Sequence, residues 1–170
     1  MKKFTDIKKT SKIKRIVEQE ETDQFKPNLL PKKTEMPKTV EVTKSEPAKF
    51  FSKILESREM AQVYHWQVKG DMGSHAAHVA LNEYYDEIIE HLDELIETYT
   101  GQYEIVENYE IIDTTETNSK DKIEYFIELN QFIKETRYTA LLEEDTHLQN
   151  IVDEIVALVY RLLYKLKYTK

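Results

Sequence analysis

Residues 78–100 read HVALNEYYDEIIEHLDELIETYT, and within them Leu81, Tyr85, Ile88, Leu92, Leu95 and Tyr99 recur in strict 4-3-4-3-4 steps. That spacing keeps all six side chains on one face of an α-helix, whereas a strand would need alternation every second residue. The helix is expected to run from about Ser74 to Thr100 and to stop at Gly101. Working outward, Phe51, Ile54, Ala61, His65 and Val68 give a second helical face, so a helix is expected over about Pro47–Lys69 with Ser45 as N-cap. Downstream, Ile123, Phe126, Ile127 and Ile133 predict a helix over about Asp121–Glu135. Leu148, Ile151, Ile155, Val159, Leu162 and Leu166 predict another over about Glu144–Lys167. The three glycines, Gly70, Gly73 and Gly101, all fall at expected helix ends, and residues 102–120 read as a connection with a short element around Tyr103–Ile112.

The expected fold class is therefore all-α, a four-helix bundle over residues 48–170 preceded by an arm over residues 1–47. Two helical hairpins joined by a crossover of about 20 residues have the connectivity of ferritin-like bundles. All four prolines lie in the arm or at its edge (Pro27, Pro31, Pro37, Pro47), consistent with an extended segment. The arm is basic and the body acidic: residues 1–49 hold 13 Lys+Arg against 8 Asp+Glu, the remainder 11 against 24. Lys2, Lys3, Lys8, Lys9, Lys12, Lys14 and Arg15 concentrate the positive charge at the start, which reads as a disordered solubility tail, a non-specific binder of DNA phosphates or an arm that docks onto neighbouring subunits, docking being the expectation.

Composition excludes several classes of function. There is no cysteine, hence no disulfide, no thiolate metal site and no Cys nucleophile. No run approaches the 18 or so apolar residues of a membrane span, and the N-terminus lacks the apolar stretch of a secretory signal. Three glycines leave no Gly-rich cradle for phosphate.

The residues with chemical potential are His65-Trp66-Gln67-Val68-Lys69-Gly70 and a polar stripe on the following helix, His78, Asn82, Asp86, Asp93 and Glu97, with Ile89 among them. Imidazole and carboxylate together suit a divalent ion such as Fe, Mn or Zn. His78 and Asp93 are 15 residues apart, about 22 Å at 1.5 Å per residue, too far to hold one ion in one chain. His65 can approach His78 across the hairpin, but Asp93 and Glu97 would have to come from a second, antiparallel copy.

The HWQVKG segment, the following His78 and the Asp93-x-x-x-Glu97 pair resemble the motif of the Dps mini-ferritins. That resemblance implies a ferroxidase storing iron at two-fold interfaces, with His65 and His78 from one subunit, Asp93 and Glu97 from its mate, and Trp66 packed beside the site. Three positions depart from the pattern: Asn82 stands where a carboxylate is expected, the loop between the histidines is one residue longer, and Thr98 replaces the usual Arg. Asp86 lies one further turn along and could compensate for Asn82. A broader resemblance, carried by residues 65–103 and by DTHLQNIVDEIVALVYRLLYKLK at 145–167, is to uncharacterised ferritin-like proteins of tailed bacteriophages. It implies a homo-oligomeric virion or assembly protein, found in the virion or the host cytoplasm, with other assembly proteins as partners and DNA a further possible ligand of the arm. The tyrosines, among them Tyr84, Tyr85, Tyr160 and Tyr164, read as core and interface amphiphiles.

Overall fold

The computed structural model describes residues 45–69 and 74–169; the basic arm and its lysines lie outside them. The described chain forms α1 (Ser45–Gln67), α2 (Ser74–Gln102), a 3-10 turn (Thr115–Asn118), α3 (Lys122–Ala140) and α4 (Thr146–Tyr168), with no strand among the described residues. Helix α1 packs on α2 and α3, and α4 packs on the same two, so the ring of neighbours runs α1, α2, α4, α3. This is an all-α four-helix bundle of two hairpins joined by a long crossover, as the periodicity predicts.

Contacts at the helix ends fix the directions. Tyr64 near the end of α1 donates to the Lys120 carbonyl just before α3, at 2.9 Å, so α3 starts where α1 finishes. Gln102 at the end of α2 donates to Asp145 at the head of α4, at 2.7 Å. Each helix is thus antiparallel to both of its neighbours in the ring. The crossover must travel the length of the bundle to make this possible, and the Glu110 N–H bound to Ser52 Oγ at 2.8 Å holds it against α1 on the way.

The core is filled from all four helices. Leu81, Ile88, Leu92 and Leu95 of the decisive stripe are buried, as are Phe51, Ile54 and Ala61 on α1 and Leu148, Ile155, Val159 and Leu162 on α4. Burying each large apolar side chain contributes about 1.5–3 kcal/mol before the chain entropy is subtracted. Tyr84 meets Phe126 edge-on, ring centroids 5.0 Å apart, which links α2 to α3 across the bundle. Tyr84 hydroxyl donates to Ser57 Oγ at 2.7 Å, while Ser57 donates to the Ile54 carbonyl, so the buried hydroxyls are satisfied.

Three expectations need correction. Helix α3 extends to Ala140, five residues beyond the expected end at Glu135. The Thr136-Arg-Tyr-Thr segment has modest helix propensity, but Arg137 is buried and bonded to α4, and this tertiary contact outweighs propensity. The longer helix presents Phe126, Leu129, Ile133, Arg137 and Ala140 inward, which leaves Ile127, expected in the core, 44% exposed. Second, no regular element forms over 103–112, and the short helix comes later, at Thr115–Asn118. Asn108 takes a left-handed φ of 63°, a conformation that Asn tolerates better than its neighbours Glu107 and Tyr109 would. Third, α1 begins at Ser45, so the last residues of the expected arm are helical.

Gly101 also differs from expectation. It lies inside the last turn of α2, its φ is not positive, and a Cβ built there meets nothing within 4 Å. Gly101→Ala should therefore raise the unfolding free energy by about 0.5–1 kcal/mol, by restricting the unfolded chain and favouring the helix. Urea denaturation followed by circular dichroism reads this directly, and a loss of stability would show that the glycine is needed for its conformation.

Candidate functional site

The hairpin brings His65 and His78 together at the end of α1 and the start of α2. Their rings stack with centroids 3.7 Å apart and an interplanar angle of 24°. His65 Nδ1 lies 2.9 Å from the His78 carbonyl oxygen. A carbonyl only accepts, so Nδ1 carries the proton and a neutral His65 keeps a free lone pair on Nε2. His65 is half-buried, and the His78 side chain is exposed.

Around this pair the structure assembles residues that spacing alone had assigned elsewhere. Tyr85, expected in the core stripe, stands edge-on to His65 with centroids 5.5 Å apart. Its hydroxyl donates to Asn82 Oδ1 at 2.6 Å, and Asn82 Nδ2 donates to Asp86 at 2.8 Å. The amide at position 82 thus has a local reason. An aspartate there would set two carboxylates against each other, whereas asparagine accepts from Tyr85 and donates to Asp86. Arg58 lies over the Tyr85 ring, 5.7 Å from its centroid, and donates to Gln62 at 2.8 Å. Both additions were signalled in sequence: Tyr85 is three residues from Asn82, and Arg58 is two turns before His65.

Asp93 and Glu97 do not join this cluster. They lie exposed further along α2 and make no ion pair among the described residues. Among the described residues no three His, Asp or Glu side chains of one chain gather as a metal site. Trp66, expected to pack beside the site, is 69% exposed in the single chain. Lys2, Lys3, Lys8, Lys9, Lys12, Lys14 and Arg15 are outside the described residues.

A second polar cluster closes the opposite end of the bundle. Buried Asp145 accepts hydrogen bonds from Gln102 and Tyr103, and Gln102 Oε1 lies 2.6 Å from His147 Nε2. It ties the exit of α2 to the entry of α4 and so fixes where the crossover begins.

Residues 65–166, more than half of the chain, match a protein family described as "Family of unknown function (DUF5856)". The chain belongs to this family. The DUF5856 match begins at His65 and takes in His78, Asn82, Tyr85, Asp86, Asp93 and Glu97 together with all of α2, the crossover and α3. The arm and most of α1 precede it. Comparison with curated proteins and with solved structures finds no match. No helix among the described residues is long and apolar enough to cross a membrane.

Proposed function

We propose that this protein is a self-associating structural or assembly component of the phage type, a virion part or an aid to building one. In this reading the helical body joins copies of itself and other assembly proteins, while the basic arm docks onto neighbouring subunits. The observation that supports self-association is a set of exposed apolar side chains on and beside α1 and α2. Trp66 is 69% exposed, and Val79 and Ile89 are also exposed, beside the histidine pair and along the α2 stripe. Water-exposed apolar area costs about 25 cal/mol per Å2 relative to burial, so a second copy covering this surface is stabilised. The virion setting rests on the resemblance of residues 65–103 and 145–167 to phage chains.

The test removes residues 1–44, which precede α1. Light scattering after gel filtration should find the full chain oligomeric and the shortened chain in a smaller state. The helical circular dichroism per bundle should be unchanged. An unaltered oligomer without the arm would remove arm docking from the proposal.

A second reading is favoured by one observation, the His65 tautomer that leaves Nε2 free beside the His78 ring. It makes the protein a mini-ferritin-like ferroxidase, with iron (or Mn or Zn) held by His65 and His78 of one copy and by Asp93 and Glu97 of a two-fold mate. Native mass spectrometry with anaerobic Fe(II) should then show about one or two irons per chain in a dimer or larger cage. Oxidation of Fe(II) no faster than that of a His65→Ala, Asp93→Ala double variant eliminates the reading.

A further inference from the structure

The crossover between α2 and α3 has the surface properties of a dock. From Glu104 to Asp113 the chain has no regular secondary structure, and Glu110 N–H bound to Ser52 Oγ ties it to the bundle. Val106 turns inward and packs against the core. Ile105, Tyr109 and Ile111 turn outward, with Ile105 76% and Ile111 92% exposed. Glu107, Glu110 and Asp113 alternate with them and make no ion pair among the described residues. Every charged residue from Glu104 to Glu116 is acidic.

A loop whose only task is to span the bundle gains nothing from isoleucines held in water. Scattered exposed apolar residues are ordinary, but three within seven residues, interleaved with unpaired carboxylates, fit a partner that is both apolar and basic. The chain itself contains such a segment. Residues 2–17, KKFTDIKKTSKIKRIV, interleave lysines and Arg15 with Phe4, Ile7, Ile13, Ile16 and Val17, and Asp6 is their one acid. Between this segment and the start of α1 lie residues 18–44, a tether that spans up to roughly 90 Å at about 3.3 Å per residue. That reach does not confine the segment to its own body. A contact made between copies uses the same side chains as one made within a copy and yields an assembly.

We infer that the acidic, isoleucine-bearing crossover of one copy (Ile105, Glu107, Tyr109, Glu110, Ile111 and Asp113) is the dock for residues 2–17 of a second copy. The inference rests on the arm-docking part of the proposed function and names the surface that receives the arm.

The test uses the full chain with a photo-cross-linking amino acid at position 111, isotopically heavy and light chains being refolded together. Irradiation should join position 111 to peptides from residues 2–17, with heavy–light products present alongside like–like ones. Products confined to like-labelled chains would mean that the arm folds back on its own body, and products at other segments would mean a different occupant; either overturns the inference. In parallel, Glu107→Lys with Glu110→Lys should weaken assembly roughly tenfold, since both side chains are exposed and their reversal opposes the arm's charge. Lys8→Glu with Lys9→Glu on the arm should restore it. If removal of residues 1–44 breaks the oligomer while the crossover reversal leaves it intact, this inference fails and arm docking stands. If removal of residues 1–44 changes nothing, arm docking itself fails.

Discussion

Arg137→Ala should lower the unfolding free energy by about 3 kcal/mol, the largest loss expected from any single polar side chain in the bundle. Arg137 is 8% exposed and spends its whole guanidinium on α4. Nε donates to Gln149 Oε1 at 2.6 Å, Nη2 to the Gln149 carbonyl at 2.8 Å, and Nη1 to Asp153 at 2.6 Å. Gln149 is held in turn by its Nε2 donating to the Leu142 carbonyl at 3.1 Å, inside the turn between α3 and α4. Alanine removes the fork, leaves the Gln149 side-chain oxygen buried without a donor and opens a cavity between the helices. The ion pair itself matters less. The Asp153 side chain is 63% exposed, so Asp153→Asn should cost no more than about 0.5 kcal/mol. Lysine at 137 cannot reproduce three divergent contacts with one ammonium, so Arg137→Lys should recover only part of the loss. Urea titrations of the three variants separate these terms. An Arg137→Ala loss below about 1 kcal/mol would mean that the clamp is dispensable.

The same arginine shows why the sequence was legible in some places and not in others. Residues 81–99 and 148–166 announce their helices because apolar side chains recur at helical steps over many turns. The last turn of α3 has no such signal. Thr136 and Thr139 bond back to the Phe132 and Thr136 carbonyls, and the contact of Arg137 with a helix nine residues downstream, together with the burial of Ala140, holds the turn in place. No local pattern carries that contact. The neighbours Tyr84 and Tyr85 are a second case, identical in type and adjacent in sequence. One is buried against Phe126 and the other stands at the α1–α2 seam beside His65, a difference of 100° of helical phase that two apolar stripes of similar strength do not resolve. The candidate site divides in the same way. The approach of His65 to His78 follows from a tight hairpin and is present. Any role for Asp93 and Glu97 depends on a second chain, and the pairing of copies is not written in the periodicity of one.

Raising the pH should unfold the bundle cooperatively by about pH 12, with buried tyrosines as the cause. Burial pushes the Tyr84 phenol far above its ordinary value, against a smaller opposing effect of its hydrogen bond with Ser57. Burial raises Tyr125 as well, reinforced by the charge of Glu56. Tyr64 is pushed up to about 12, again chiefly by burial and then by Asp121 and Glu116, while Lys120 pulls the other way. In each case the folded value lies above the unfolded one, near 10, so the unfolded chain loses its proton first. The stability these groups contribute is complete below about pH 10 and falls as pH rises beyond it, by about 1.4 kcal/mol per pH unit for each phenol still protonated only in the folded state. Tyr84 and Tyr125 alone then remove about 5 kcal/mol by pH 12, comparable to the stability of an ordinary domain. Tyrosinate absorbance and helical circular dichroism should change together over this range, and Tyr84→Phe should move the midpoint upward. The body is strongly acidic, and loss of lysine charge at high pH adds repulsion that would also favour unfolding. Salt distinguishes the causes, because 1 M salt screens repulsion to a length of about 3 Å and leaves the cost of a buried phenolate nearly untouched. An alkaline midpoint that holds in 1 M salt assigns the transition to the tyrosine core, and one that moves well upward assigns it to surface charge.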